Sequence, residues 1–379
     1  MAAEGSTAAG FERVAAEFSR LLADDEDASG QFCAYAGGRV VADLWGGGDV
    51  GPDDLQGVFS STKGAAAVCV ALLLQRGALD LDAPVSRYWP EFAGGGKGAV
   101  TVRLALSHQA GLPGVEPQLS FDELIQHDLV AARLAAQVPH WRPGAAHGYH
   151  GLTVGTIIDE LVRRAAGVPV AEFFRREIGE PRGIDFHIRT PDAAEHRVRM
   201  LRPARPPDGW QRQPGGPAPG PDSLFGMTFN QAAPPSGQVP AGEPLANIRA
   251  LRASGQAAIA GTGSARGLAR LYAMCTGEVD GFPRLLSEAT VARMSQLQSA
   301  GQDLVLGVPN RFAVVFQKAD ERVPFGSHQA FGHDGMGGSL GFADPWHGIA
   351  CAWIPRRMSF PAGADPRGHD LARLVRACL

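Results

Sequence analysis

Apolar positions recur at helical spacing between Phe11 and Ala23, where Val14, Phe18, Leu21 and Leu22 share one side, so an amphipathic helix is predicted there. Gln31 to Tyr35 and Arg39 to Trp45 flank Gly37-Gly38 and read as a β-hairpin. Gly46 to Asp54 is a loop, after which the alanine-rich run Ala65 to Gln75 predicts a helix closed by Gly77. From Leu79 to about Ile178 the pattern is helical, broken by turns at Gly94-Gly95-Gly96, Gly111-Leu112-Pro113-Gly114 and Arg142-Pro143-Gly144. Helical spacing returns at Ser264 to Met274 and Ser287 to Leu297. Strand patterns follow at Arg311 to Gln317, Ser339 to Ala343 and Ile349 to Ile354, and a helix closes the chain near Asp370 to Cys378.

Strands at both ends with helices between predict one sheet built from the two termini. The expected organisation is a discontinuous α/β domain, residues 1–78 and 300–379, with a mainly helical domain at 79–299. Within the latter, proline and glycine crowd Arg202 to Ser223 and Ala232 to Pro244, so the 202–245 loops fit either disordered linkers or long ordered loops over a cleft.

Composition narrows the class. Hydrophobic content of 45% and charge of 20% over 379 residues are those of a soluble globular protein with ample core. A net charge of −4 gives no electrostatic reason to expect nucleic acid or an anionic membrane as partner. Met1 to Gly10 has neither a basic n-region nor an apolar h-region, and no run approaches the ~18 apolar residues of a membrane span. The five cysteines are widely spaced and form no C-x-x-C pair; Cys33, Cys69 and Cys351 read as buried thiols. A cytoplasmic location is the expectation.

Of 35 basic residues only Lys63, Lys97 and Lys318 are lysine, and Lys63 stands three residues after Ser60 at the start of a predicted helix. Residues i and i+3 share a helix face, so the Lys63 amine reaches the Ser60 hydroxyl. Free N–H groups at a helix start favour a developing anion. An N-cap serine followed by a surface lysine is the structural alternative. The chain's preference for arginine speaks against it, because lysine alone can lose its proton and act as a base. Ser61 has Gly64 at its +3 position and lacks this partner.

Two later segments join Ser60-x-x-Lys63 in order: Tyr149-His150-Gly151 after Trp141-Arg142-Pro143-Gly144, and His333-Asp334-Gly335-Met336-Gly337-Gly338-Ser339. With Leu104 to Pro113 and Gly263 to Arg270, this order resembles the class C β-lactamase-like serine hydrolases, which include penicillin-binding-type peptidases and family VIII carboxylesterases. The resemblance implies a β-lactamase/penicillin-binding-protein-like fold, an α/β domain plus an all-α domain, with an antiparallel sheet flanked by helices and the active site between the domains. It further implies Ser60 as nucleophile, Lys63 and Tyr149 sharing the role of general base, and the backbone N–H groups of Ser60 and Met336 as oxyanion hole. His333, Asp334, Gly335 and Gly151 would contact substrate. No cofactor and no metal are implied, and the substrate is a small-molecule ester, thioester or amide.

The departures bear on substrate. Gly151 stands where class C β-lactamases carry the asparagine of Tyr-x-Asn, which removes an amide that orients an acylamino side chain. His333 replaces the lysine of Lys-Thr-Gly, removing a permanent cation suited to a β-lactam carboxylate, and Asp334 adds negative charge beside it. These changes favour short neutral acyl esters. Acyl transfer to a small acceptor uses the same residues, and amide hydrolysis of the β-lactamase or D-aminopeptidase type is the further alternative. A non-catalytic scaffold gives no reason to keep all three of Ser60, Lys63 and Tyr149. His140, His147 and His150 match no zinc spacing, and His150 is expected to pack beside Tyr149. His108 sits in what resembles a structural turn. A His333–Asp334 pairing is disfavoured because successive strand side chains face opposite ways.

Overall fold

The computed structural model describes residues 3–24, 28–207, 220–231, 239–240, 242–363 and 365–379. Much of the proline- and glycine-rich sequence between 202 and 245 therefore lies outside the described residues. The strands are β1 (Ala3–Thr7), β2 (Gly30–Ala36), β3 (Arg39–Gly46), β4 (Gln56–Gly57), β5 (Phe186–His187), β6 (Thr262–Gly263), β7 (Ser299–Gln302), β8 (Pro309–Phe312), β9 (Gln317–Lys318), β10 (Phe331–Asp334), β11 (Leu340–Asp344) and β12 (Ile349–Pro355). The α-helices are α1 (Glu12–Asp24), α2 (Thr62–Gln75), α3 (Val102–Leu106), α4 (Phe121–Leu124), α5 (His127–Ala136), α6 (Thr153–Ala166), α7 (Val170–Phe174), α8 (Leu224–Thr228), α9 (Arg249–Ser254), α10 (Ala265–Thr276), α11 (Glu288–Ser295) and α12 (Pro366–Ala377).

Nine strands form one antiparallel sheet in the order β1-β3-β2-β12-β11-β10-β9-β8-β7, so the two chain ends do meet, through β2 against β12. Both faces of the centre are covered, which is why β12 reads as a continuous apolar run and not as an alternation. Along it, Ala350, Ala352 and Ile354 pack toward α2 and α10, while Ile349, Cys351 and Trp353 pack toward α1 and α12. Helix α10 lies on this sheet although its chain position falls inside 79–299. Cys33, Cys69 and Cys351 are buried free thiols.

The hairpin turns on Gly37 and Gly38, both at positive φ, the geometry that matches the twist of its strands. Two expectations need correction. Arg311 to Gln317 is not one strand: β8 ends at Phe312, a turn with Val315 at φ 65° intervenes, and β9 begins at Gln317. The stretch from Leu79 to Ile178 is less helical than its pattern suggests, with 3₁₀ turns at 85–87 and 90–96 and irregular chain across 137–152. The pattern gave no sign of the edge strand β1, which pairs with β3. Among the described residues no helix is long and apolar enough to cross a membrane.

Candidate active site

Helix α2 runs through the core and is buried from Thr62 to Leu74. Its apolar and alanine positions face neighbours on every side, so the helix serves as a fixed post for the residues at its start. Ser60 sits just before it, in a 3₁₀ turn at Phe59–Ser61, with Phe59 at φ 45°. A bulky residue in the left-handed region costs of order 1–3 kcal/mol, and such strain collects where a side chain must be held in a set direction.

Lys63 Nζ lies 2.9 Å from Ser60 Oγ and donates to the Ala258 carbonyl at 3.1 Å. Tyr149 Oη lies 2.8 Å from the same Ser60 Oγ. Three residues from two distant segments thus meet at one oxygen. The Lys63 amine is also 5.0 Å from the centre of the Tyr149 ring. Both side chains are buried, and burial drives their acidities apart. Desolvation holds the Lys63 pKa well below its ordinary value, with Asp334 opposing. Desolvation raises that of Tyr149, with the Ser60 hydrogen bond opposing. Burial thus favours the neutral amine and the neutral phenol.

Residues not singled out from the sequence hold this arrangement. The Asp303 carboxylate accepts from the backbone N–H groups of Tyr149, Val305 and Leu306 and from Asn310 Nδ2, all at 2.8–3.1 Å. Phe312 stacks on the Tyr149 ring at 5.8 Å and 8°. Only a weak sequence signal marks Asp303, a lone acid just ahead of the apolar Leu304-Val305-Leu306. His108 adopts φ 63° and its Nδ1 accepts from the His150 N–H at 3.0 Å, a turn role. His150 does not pack against Tyr149: its ring lies near His108 and Trp141, and its Nε2 accepts from the Leu112 N–H. His140, His147 and His150 each bond a different protein group.

β10 runs alongside the turn that carries Ser60. Ser61 Oγ bridges to the His333 carbonyl at 3.1 Å and to Ser339 Oγ at 2.9 Å, tying the start of α2 to β10 and β11. A Cβ at Gly335 would sit 2.2 Å from the Val58 carbonyl oxygen, so only glycine permits this approach. The Met336 N–H makes no hydrogen bond among the described residues, and the Met336 carbonyl accepts from Gly363. His333 is fully buried, its Nδ1 donating to the Asp334 carbonyl at 2.7 Å, and desolvation with the nearby Lys63 lowers its pKa to about 3. The imidazole is neutral at physiological pH.

The Asp334 carboxylate accepts from Gln317 Nε2 at 2.8 Å and from Arg322 Nη1 at 3.0 Å. Its charge is therefore matched by Arg322, correcting the expectation of a bare negative charge beside substrate. Gly151 is packed closed: a Cβ there would meet Thr228 Cγ2 at 2.9 Å and the Phe229 ring at 3.5 Å. Gly151→Asn should accordingly destabilise the fold by about 1–3 kcal/mol through overpacking and should not create cephalosporin turnover. Thermal unfolding and a chromogenic assay check this, and a variant of unchanged Tm would show that the space exists.

Comparison with known proteins agrees with this fold. A family model described as Beta-lactamase matches residues 14–374. Esterase/beta-lactamase LipL of Mycobacterium tuberculosis is 32% identical over 93% of this chain and 82% of its own. The structure of EstA from Arthrobacter nitroguajacolicus superposes with a TM-score of 0.90 at 41% identity, covering 100% of this chain and 98% of that one. A family VIII carboxylesterase superposes with a TM-score of 0.89 at 31% identity, covering all of both chains. The chain belongs to the β-lactamase family of serine hydrolases, among its esterase relatives.

Proposed function

We propose that the protein hydrolyses short, uncharged acyl esters through a Ser60 acyl-enzyme. The observation that carries this reading is the convergence of Lys63 Nζ and Tyr149 Oη on Ser60 Oγ, at 2.9 and 2.8 Å. Lys63, a neutral amine in its buried site, takes the Ser60 proton as Oγ attacks the ester carbonyl. The Ser60 and Met336 N–H groups stabilise the oxyanion. Tyr149, kept as a phenol by burial, hands its proton to the departing alkoxide and regains one from Lys63. Water then repeats the sequence on the acyl-enzyme. An alcohol or amine in place of water gives acyl transfer with the same residues.

Selectivity rests on charge. A neutral His333 offers no cation to a β-lactam carboxylate, which forgoes a charge-assisted contact of ~1.5–3 kcal/mol, or roughly 10- to 100-fold in transition-state binding. A neutral ester loses nothing. LipL carries both esterase and beta-lactamase in its name, so β-lactams are the competing class. We expect kcat/KM for p-nitrophenyl butyrate to exceed that for a chromogenic cephalosporin by at least this factor. A cephalosporin value equal to or above that of the ester would replace this reading with a β-lactamase.

The pH profile follows from the same groups. With its pKa lowered, Lys63 is active once deprotonated, so kcat/KM falls as pH drops through its folded pKa and is level above it. His333 titrates only near 3, so His333→Gln should leave the position of the acid limb unmoved. A limb that shifts in this variant would make His333 the titrating group.

A further inference from the structure

The three lysines sit in three different environments. Lys97 is buried and its ammonium donates to the carbonyls of Gly94, Ala135 and Gln137, which uses all three of its protons. Lys63 is committed to Ser60 and Ala258. Lys318 is opposite Phe331 across β9 and β10, on the sheet face that looks toward α10 and α11, and is only 7% exposed. Its amine has no hydrogen-bond or ion-pair partner among the described residues.

That amine lines a solvent-open cavity of about 1030 Å³ bounded by Tyr35, Gly38, Ala273, Glu288, Ala292 and Gly348. No residue assigned to the Ser60 chemistry borders it. Glu278, Arg284, Arg293 and His328 also face the space, with Arg284 held by Glu288 at 3.1 Å. The Asp344 carboxylate near Lys318 is bound by Ser327 and His347. Acids and guanidinium groups are therefore balanced, and nothing fixes the Lys318 amine in its protonated form. Burial brings its pKa down to about 8, Asp344 opposing.

We propose that Lys318 is a second covalent site, remote from Ser60, where small aldehydes entering the cavity condense with the amine to form an imine. The nitrogen lone pair adds to the carbonyl carbon, the carbinolamine expels water, and a C=N bond replaces C=O with no oxidant or reductant required. A desolvated lysine in a cavity is the form of lysine that performs this chemistry. The site stands apart from the ester chemistry, so failure of either reading leaves the other intact.

The test treats the full chain with butanal, traps imines by borohydride and maps the reduced adducts by peptide mass. Lys318 should be labelled on the order of 10-fold faster than Lys97, whose amine is committed to three carbonyls, while the terminal amine, ordinarily titrating at about 7.7–8.0, labels at a comparable rate. The rate should reach half its maximum near pH 8, where Lys318 is half deprotonated, and level off above it. Tyr35, held up to about 12, does not titrate in this range. Lys318→Met should remove this adduct and retain ester turnover. Labelling of Lys318 no faster than Lys97, or a rate still climbing at the ~10.4 of a solvated lysine, overturns the proposal.

Discussion

Replacing Lys63 by arginine is expected to lower kcat by about 10²-fold or more, nearly as much as replacing it by alanine. Arginine keeps a cation beside Ser60 and Tyr149, so a purely electrostatic role for Lys63 would survive the change. A base does not survive it, because the guanidinium remains protonated at any accessible pH. The 2.9 Å separation of Nζ and Oγ and the lowered lysine pKa both point to the base. Steady-state kinetics on Lys63→Arg decide the matter, provided its circular dichroism matches that of the wild type. Near wild-type turnover would leave Lys63 as an electrostatic support only.

Ser60→Ala should abolish turnover, whereas Ser61→Ala should keep it at moderate temperature. The two hydroxyls are neighbours with different surroundings. Ser60 is half-buried and faces Lys63 and Tyr149, while Ser61 is fully buried and bonded to His333 and Ser339. Removing Ser61 Oγ deletes two interior hydrogen bonds, each contributing about 0.5–1.5 kcal/mol, so the expected signature is a lower Tm and not a lost reaction. An enzyme inactive as folded Ser61→Ala yet active as Ser60→Ala would reverse the assignment.

The parts of the fold legible in the sequence are those in which one local rule acts alone. Helix α1 buries one stripe, the Gly37-Gly38 turn sets a hairpin, and β12 is apolar throughout because both its faces are covered. The parts that were not legible depend on tertiary partners. β1, Ala-Glu-Gly-Ser-Thr, has no apolar alternation because it is an edge strand with little buried surface. β7, Ser-Ala-Gly-Gln, is the opposite edge and is equally silent. The run from Arg311 to Gln317 looks like one strand because Ala313 to Phe316 are all apolar, yet they are buried as a turn against the helices.

The same division holds at the site. The spacing of Ser60 and Lys63 is a local signal, and the order of motifs brings in Tyr149 and the His333 segment. What the spacing does not carry is the partner of each group. Arg322 neutralises Asp334 from another turn, Asp303 pins the loop of Tyr149 across 154 positions, and the Ala258 carbonyl receives the Lys63 amine across 195. Burial of Lys63 and Tyr149, which favours their neutral forms, likewise comes from the assembled fold.

The most direct test of the Ser60 acyl-enzyme is intact-mass measurement of protein quenched during turnover of p-nitrophenyl butyrate, followed by peptide mapping. The predicted result is a single butyryl adduct on Ser60, absent from Ser60→Ala and present in Ser61→Ala. An adduct on another residue, or ester turnover persisting in Ser60→Ala, would contradict the account.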